Sequence, residues 1–386
     1  MSESLFTVGE VGHKLRAIIT YINHDPSPAS QPKITSPAND QKLRVTAPMI
    51  LRPATLQDHK AVLTLARQAG FGMTSLPPDA QVLHEKIEAS VASFNGKPHK
   101  KGQESFFFVL EDPGRDGHIA GTCGIKAHIG LTQPFYSYKL TTITQISSQL
   151  DVFTKHTMLQ VTNDLTGATE IGALFLEPEY RRDRIGKMLS LARFLFMATF
   201  PSYFAEQVIA EMRGVHDAEG NAPFYSAVPK HFFNMPFTEA DYINATQGNQ
   251  FINDLMPKYP VYLSLLPKAA QRVIGQVNAA SEPAKVMLEK QGFKYTGYVD
   301  IFDGGPTLIA ERSQIRSVRD SVVAPLAKIE ELPEGTPKYL VTNERFEGFR
   351  AGIGRLEPEA EGARISPRLA AGLEVSPGDI LRFIRI

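Results

Sequence analysis

The densest chemistry in the sequence is a strand, a basic turn and a helix in direct succession. Residues 170–176 read as an apolar strand that ends at Glu177-Pro178. The turn Arg181-Arg182-Asp183-Arg184-Ile185-Gly186-Lys187 follows. A helix then carries Ile185, Met188, Leu189, Ala192, Leu195 and Phe196 at helical spacing. Such a junction can hold an anion. The first-turn N–H groups of a helix lack intrahelical partners, and the helix dipole adds partial positive charge at the same end. Gly186 lets the backbone approach a ligand closely. Arg181, Arg184 and Lys187 supply full charges. The same residues also read as a solvated basic helix start, and the turn alone does not separate the two. No histidine pair with a third ligand has metal-binding spacing, so no metal is expected; His216 and His231 read as ordinary polar or core residues. Cys123 is the single cysteine. That excludes a disulfide framework or a thiolate cage, fits a reducing cytoplasm, and reads as a small buried apolar residue.

These groups need elements to position them. Thr55 and Asp58 have capping-box spacing ahead of a helix closed by Gly70 and Gly72. A second helix is expected over residues 79–94. Phe106-Phe107-Phe108-Val109-Leu110 reads as a strand, and Ile119 to Ile125 returns as its hairpin partner across Asp112-Pro113-Gly114 and Asp116-Gly117. Residues 129–165 read as further strands with loops. Residues 207–212 and 273–277 read as strands, residues 282–291 as a helix ended by Gly292, and residues 298–302 with 307–310 as a hairpin around Asp303-Gly304-Gly305-Pro306.

Residues 1–48 differ from the rest. His24 to Asp40 is rich in Pro, Ser, Ala and Asn and buries too little to offset its ordering entropy. The segment reads as a disordered tail, or as lying ahead of a true start at Met49. Glu3 and Glu10 argue against a signal peptide. The expected organisation is a main domain over 49–330 with a mixed insertion at 216–270, a break near Glu331-Leu332-Pro333-Glu334-Gly335, and a small β-rich module over 331–386. Lys and Arg total 41 against 41 Asp and Glu, a formal net charge of zero, which argues against a nucleic-acid or acidic-membrane binder. No apolar run reaches the roughly 18 residues of a membrane span.

Several blocks resemble the GNAT N-acyltransferases. Arg181 to Gly186 is similar to their acyl-CoA pyrophosphate loop, Arg/Gln-x-x-Gly-x-Gly/Ala, with Arg184 in place of the first glycine. Ser281 to Phe293 resembles the late helix of that superfamily, and Ile50 to Asp58 its first strand and helix. Within it, Thr74-Ser75-Leu76-Pro77, Phe108 to Asp112, Ala210 to Val215, Ile274-Gly275-Gln276-Val277 and Asp300 to Leu308 look like the arginine N-succinyltransferase family, in this order, over roughly Met49 to Ile386.

The resemblance implies an α+β fold of GNAT type: a mixed, mostly antiparallel sheet flanked by helices, with a large insertion and a small C-terminal β-rich module. It implies transfer of succinyl from succinyl-CoA to the α-amino group of L-arginine, the opening step of arginine breakdown by this route. Ornithine is a second acceptor to expect, and a homo-oligomer or a pairing with a paralogous subunit is in keeping. Leu174 matches the family's succinyl-CoA position. Glu170 and Glu211 are candidate bases, Arg213 a carboxylate partner, and His231 a candidate for lining the acceptor pocket. The family's proton-donor histidine is Asn278 here. An amide does not titrate near neutral pH, so Asn278 can donate a hydrogen bond but not act as a general acid. A changed acceptor, or a non-catalytic acyl-CoA-binding subunit, is the alternative this position raises.

Overall fold

A computed structural model describes residues 48–386 except 71, 99–101 and 218. The reading of residues 1–48 therefore lies, apart from Pro48, outside the described residues.

The first half builds strands β1 (Ile50–Pro53), β2 (Ser105–Asp112), β3 (His118–Lys126), β4 (Ser137–Ser147), β5 (Val152–Thr162) and β6 (Thr169–Leu176). Helices α1 (His59–Ala69) and α2 (Ala80–Phe94) lie between β1 and β2. The Thr55/Asp58 capping box is formed in both directions, and Gly70 ends α1 at φ 74°. Helix α3 (Ile185–Thr199) leads to β7 (Gln207–Glu211). The insertion is mostly helical: α4 (Pro223–Ala227), α5 (Pro229–Phe233), α6 (Phe237–Thr246), α7 (Gln250–Leu255) and the short β8 (Val261–Tyr262). Then come α8 (Lys268–Val273), α9 (Glu282–Glu289), β9 (Lys294–Asp300), β10 (Pro306–Glu311) and α10 (Arg316–Arg319). The chain closes with β11 (Val322–Ile329), β12 (Lys338–Asn343), β13 (Ala351–Glu359), β14 (Gly362–Ile365), α11 (Pro367–Leu373) and β15 (Ile380–Arg385).

The main sheet runs β1-β2-β3-β6-β7-β10-β9-β4-β5-β8. Its pairs are antiparallel except β6 with β7. Strand β2 shows why its sequence is continuously apolar. Phe106 and Phe108 pack with Phe196 of α3 on one face, while Phe107 packs with α1 and α2 on the other. A strand covered on both faces has no polar side to present. Helix α3 is buried from Met188 to Met197. It touches the main sheet and also β12, β13 and β15, so it is apolar nearly all round.

The last five strands pair in the cycle β12-β15-β11-β14-β13-β12, a small closed ring. The ring begins with β11, ahead of the 331–335 break, and joins the main sheet through Ile50 opposite Gly352 and Leu51 opposite Ala351. Closure leaves it no free edge.

One expected strand is not formed. Residues 268–273 are helical, and Ile274 to Val277 is irregular. Gly275 stands at φ 73°, incompatible with an extended run, and its N–H donates to Gly304 O (2.8 Å). Val273 and Ile274 pack against the cluster that holds Ile301 and Phe302 of the β9–β10 turn, and Val277 packs against the main core, rather than pairing in the sheet. Among the described residues no helix is long and apolar enough to cross a membrane.

Candidate active site

Strands β6 and β7 pair only at Thr169 with Val208 and Glu170 with Ile209. Beyond those pairs, residues 171–174 and 210–213 line a cavity of about 540 Å³. Its other walls come from the loop before α2, from α2 and α3, from α6 of the insertion, from α9 and from the β9–β10 turn.

A bulge shapes the β6 wall. Gly172 faces Gly124 and Phe175 faces Thr122, so Ala173 and Leu174 share the place opposite Cys123. Ala173 takes φ 50°. Its N–H donates to Ser75 Oγ (2.9 Å), and its carbonyl accepts from Thr122 Oγ1 (2.8 Å). Leu174, on the cavity wall, has no register partner in the ladder.

Acidic groups crowd the same cavity. Glu211 Oε1 is buried without a hydrogen-bond partner. Burial, together with the Asp300 and Glu170 charges, pushes its carboxyl well above the usual carboxylate range. Glu170 is buried and pairs with Lys126 (3.0 Å). Asp303 accepts from the N–H groups of Gly214 (2.7 Å) and Gly305 (2.8 Å), clamping the exit of β7 to the β9–β10 turn. That approach requires glycine: a Cβ on Gly305 would stand 2.1 Å from Met212 O. Burial raises the Asp300 and Asp303 carboxyls as well. Asp241 of α6 accepts from Thr74 Oγ1 (2.8 Å), and its carboxyl is pushed up to about 6, chiefly by burial.

Cations share the cavity. Burial lowers Arg213, whose buried Nε has no hydrogen-bond partner. Its neighbour His216 is held down to about 4 by burial and by the Arg213 charge. Lys86 is lowered to about 8 by burial and the Lys126 charge. Its ammonium donates to Ser75 O (2.9 Å).

The basic turn lies at the far end of β6, off the cavity wall. Asp183 and Arg184 both adopt left-handed backbone, φ 51° and 65°. Arg184 thus takes the conformation for which its counterpart glycine is suited, at a cost of about 1 kcal/mol. It is the N-cap of α3, and its side chain donates to Ile386 O (2.7 Å). Arg181 donates to Leu176 O (3.0 Å). Gly186 and Lys187 begin α3. Burial and the Arg184, Arg316 and Lys290 charges lower Lys187, so the turn and its neighbours form a cluster of cations.

The structure therefore brings Glu170, Leu174, Glu211 and Arg213 onto one cavity, with Arg181, Arg184, Gly186 and Lys187 on the turn beyond. Asn278 is beside it but not on its wall. Its N–H donates to Arg213 O (2.8 Å), and its Oδ1 accepts from Ala280 N–H (3.0 Å). His231 is exposed on α5 and is not brought to the cavity. Sequence reasoning missed Lys86, Arg193 and Asp241. Only Arg193 left a signal, as the one charge inside the buried stretch of α3.

Comparison with known proteins bears on this arrangement. The sequence profile described as arginine N-succinyltransferase beta subunit matches residues 49–317, and that of its C-terminal domain matches residues 322–385. The arginine N-succinyltransferase of Citrobacter koseri is 39% identical over 338 residues, 88% of this chain and 98% of the relative. Its namesake from Salmonella paratyphi B is 39% identical over 337 residues, 87% of this chain and 97% of the relative. The solved structure of arginine/ornithine succinyltransferase subunit AI from Pseudomonas aeruginosa is 36% identical, with a TM-score of 0.80 over 88% of this chain and 99% of that one. With the cavity, the bulge and the helix-start turn all in place on an α+β scaffold, the chain belongs to the arginine N-succinyltransferase family.

Proposed function

We propose that this protein transfers the succinyl group of succinyl-CoA to the α-amino group of L-arginine. The observation that carries the reading is Glu211: a part-buried carboxyl whose Oε1 is buried without a hydrogen-bond partner, held above its ordinary range, on the cavity that Leu174 of the β6 bulge also lines. Its raised proton affinity makes this carboxylate, once ionised, a stronger base than an ordinary one.

The turn at α3 takes the pyrophosphate of the donor, through the helix start and the Arg184 and Lys187 charges. The donor then runs along β6 to the bulge, where the Leu174 N–H receives the thioester oxygen as charge builds on it. Glu211 accepts a proton from the α-ammonium, directly or through water. The freed amine forms the C–N bond, the C–S bond breaks, and the nitrogen sheds its second proton to solvent. Free thiols have pKa about 8.5, so sulfur can leave as a thiolate and take a proton from water. No general acid is then required at Asn278. Asp241 supports the guanidinium of the acceptor, because a carboxyl raised by burial is restored to its charged form by a cation.

The test is thiol release from succinyl-CoA with L-arginine, L-ornithine or no acceptor. Arginine-dependent release is expected, and Asn278→Ala should keep kcat within a few-fold while losing about 1 kcal/mol of stability with its cap. A second reading, a non-catalytic acyl-CoA-binding subunit, draws on Asn278. Saturable succinyl-CoA binding without release under any condition would favour it.

A further inference from the structure

Arg193 stands apart from every other charge on the cavity. It lies in the middle of α3, is 2% exposed, and still forms part of the cavity wall. No carboxylate lies within ion-pair distance of it among the described residues. Its guanidinium has five N–H donors. They meet Ser190 O (3.2 Å), Ser190 Oγ (3.2 Å) and Gly172 O (3.5 Å), all long contacts to neutral oxygens. Burying an ion is unfavourable unless an opposite charge offsets it, and among the described residues the protein provides none. Burial accordingly lowers its proton affinity.

The position of the head says what the missing partner is. Gly172 is the β6 residue immediately before the bulge of Ala173 and Leu174, where the proposed reaction places the thioester. An acyl group seated there has its far end close to Gly172. Of the other cations flanking this stretch, Lys126 is paired with Glu170, and Lys86 on α2 already bonds Ser75 and shares the field of Glu170 and Lys126. Arg193 alone is a fully buried charge with donors to spare.

We propose that Arg193 is the anchor of a carboxylate subsite that receives the distal carboxylate of the donor acyl group and sets the preference for a dicarboxylic acyl-CoA. The assignment rests on the transferase reading for the location of the thioester, but it is tested by binding, which needs no turnover. A planar fork suits a carboxylate bidentately. The subsite selects by charge: a four-carbon acyl chain without the carboxylate would leave the guanidinium buried and unpaired.

The experiment is calorimetric titration of the full chain with succinyl-CoA, butyryl-CoA and free CoA, for the natural protein, Arg193→Met and Arg193→Lys. The natural protein is expected to bind succinyl-CoA roughly 100-fold tighter than butyryl-CoA, and Arg193→Met to lose that preference while keeping its affinity for free CoA. Thermal stability should be unchanged or raised in Arg193→Met, since methionine removes an unpaired buried charge. Arg193→Lys keeps the charge without the fork and should retain a preference at least 10-fold smaller. Equal binding of the two acyl-CoAs by the natural protein overturns the proposal, whether or not thiol release occurs. So does a preference that survives in Arg193→Met, or an equal loss of all three ligands. If Arg193→Met does not fold, Arg193→Lys decides, and an undiminished preference there overturns the assignment. Absence of thiol release alongside a preference lost in Arg193→Met would instead count against the transferase reading while supporting the subsite.

Discussion

Asp241→Asn tests how the cavity holds charge. The Asp241 carboxyl is moved from 3.8 to about 6, mainly by burial, with the Asp300 charge adding and the Thr74 hydroxyl opposing. A folded-state pKa above the unfolded value means that folding favours the protonated acid. The stability this group contributes is complete below about 3.8 and is lost as pH rises through about 6. At about 1.4 kcal/mol per pH unit, the gap amounts to about 3 kcal/mol. Asparagine keeps an oxygen that accepts from Thr74 and cannot ionise. The variant should match the natural protein in urea unfolding near pH 4 and exceed it by about 3 kcal/mol at pH 8. In the same variant the KM for L-arginine should rise roughly 10- to 100-fold at pH 8, with the succinyl-CoA KM nearly unchanged. A stability gain that is absent at pH 8, or equal at both pH values, refutes the reasoning.

Two further outcomes follow from the same geometry. Glu211→Gln should lower kcat on the order of 10²- to 10⁴-fold and abolish the limb of the pH–rate profile that rises as the buried carboxyl ionises; a rate within a few-fold of natural removes Glu211 from proton transfer. Arg184→Gly and Arg184→Ala both delete the side chain, so their difference reports the left-handed backbone. Glycine should be the more stable by about 1 kcal/mol in urea unfolding, and equality would mean that the turn relaxes.

Much of the scaffold was legible. The β2–β3 hairpin, α2, β6, α3 and α9 follow from apolar periodicity, caps and turn residues, all of which act over a few positions. Residues 273–277 failed because a short apolar run is read equally well as strand or as packed irregular chain, and what decided it was Gly304, a partner distant in sequence. The insertion was legible only as mixed, since its helices are five to ten residues long and are held by packing around Phe233 and Phe302 rather than by propensity.

The site divides in the same way. Sequence alone determined the helix-start turn, because residue type and local spacing carry it, while the candidate carboxylates Glu170 and Glu211 and the loss of a titrating group at Asn278 were legible only through the resemblance to the family. It could not say that Glu211 would lie among Asp300 and Asp303, or that His231 would face solvent. Asp241 and Thr74 are 167 residues apart yet share a hydrogen bond on the cavity wall. Arg193 reads as one charge in an apolar helix until Gly172 and the bulge are placed above it. Only the tertiary structure sets these properties, because a proton affinity or an unmet charge is decided by burial and by neighbours that the fold, not the chain order, brings within a few ångströms.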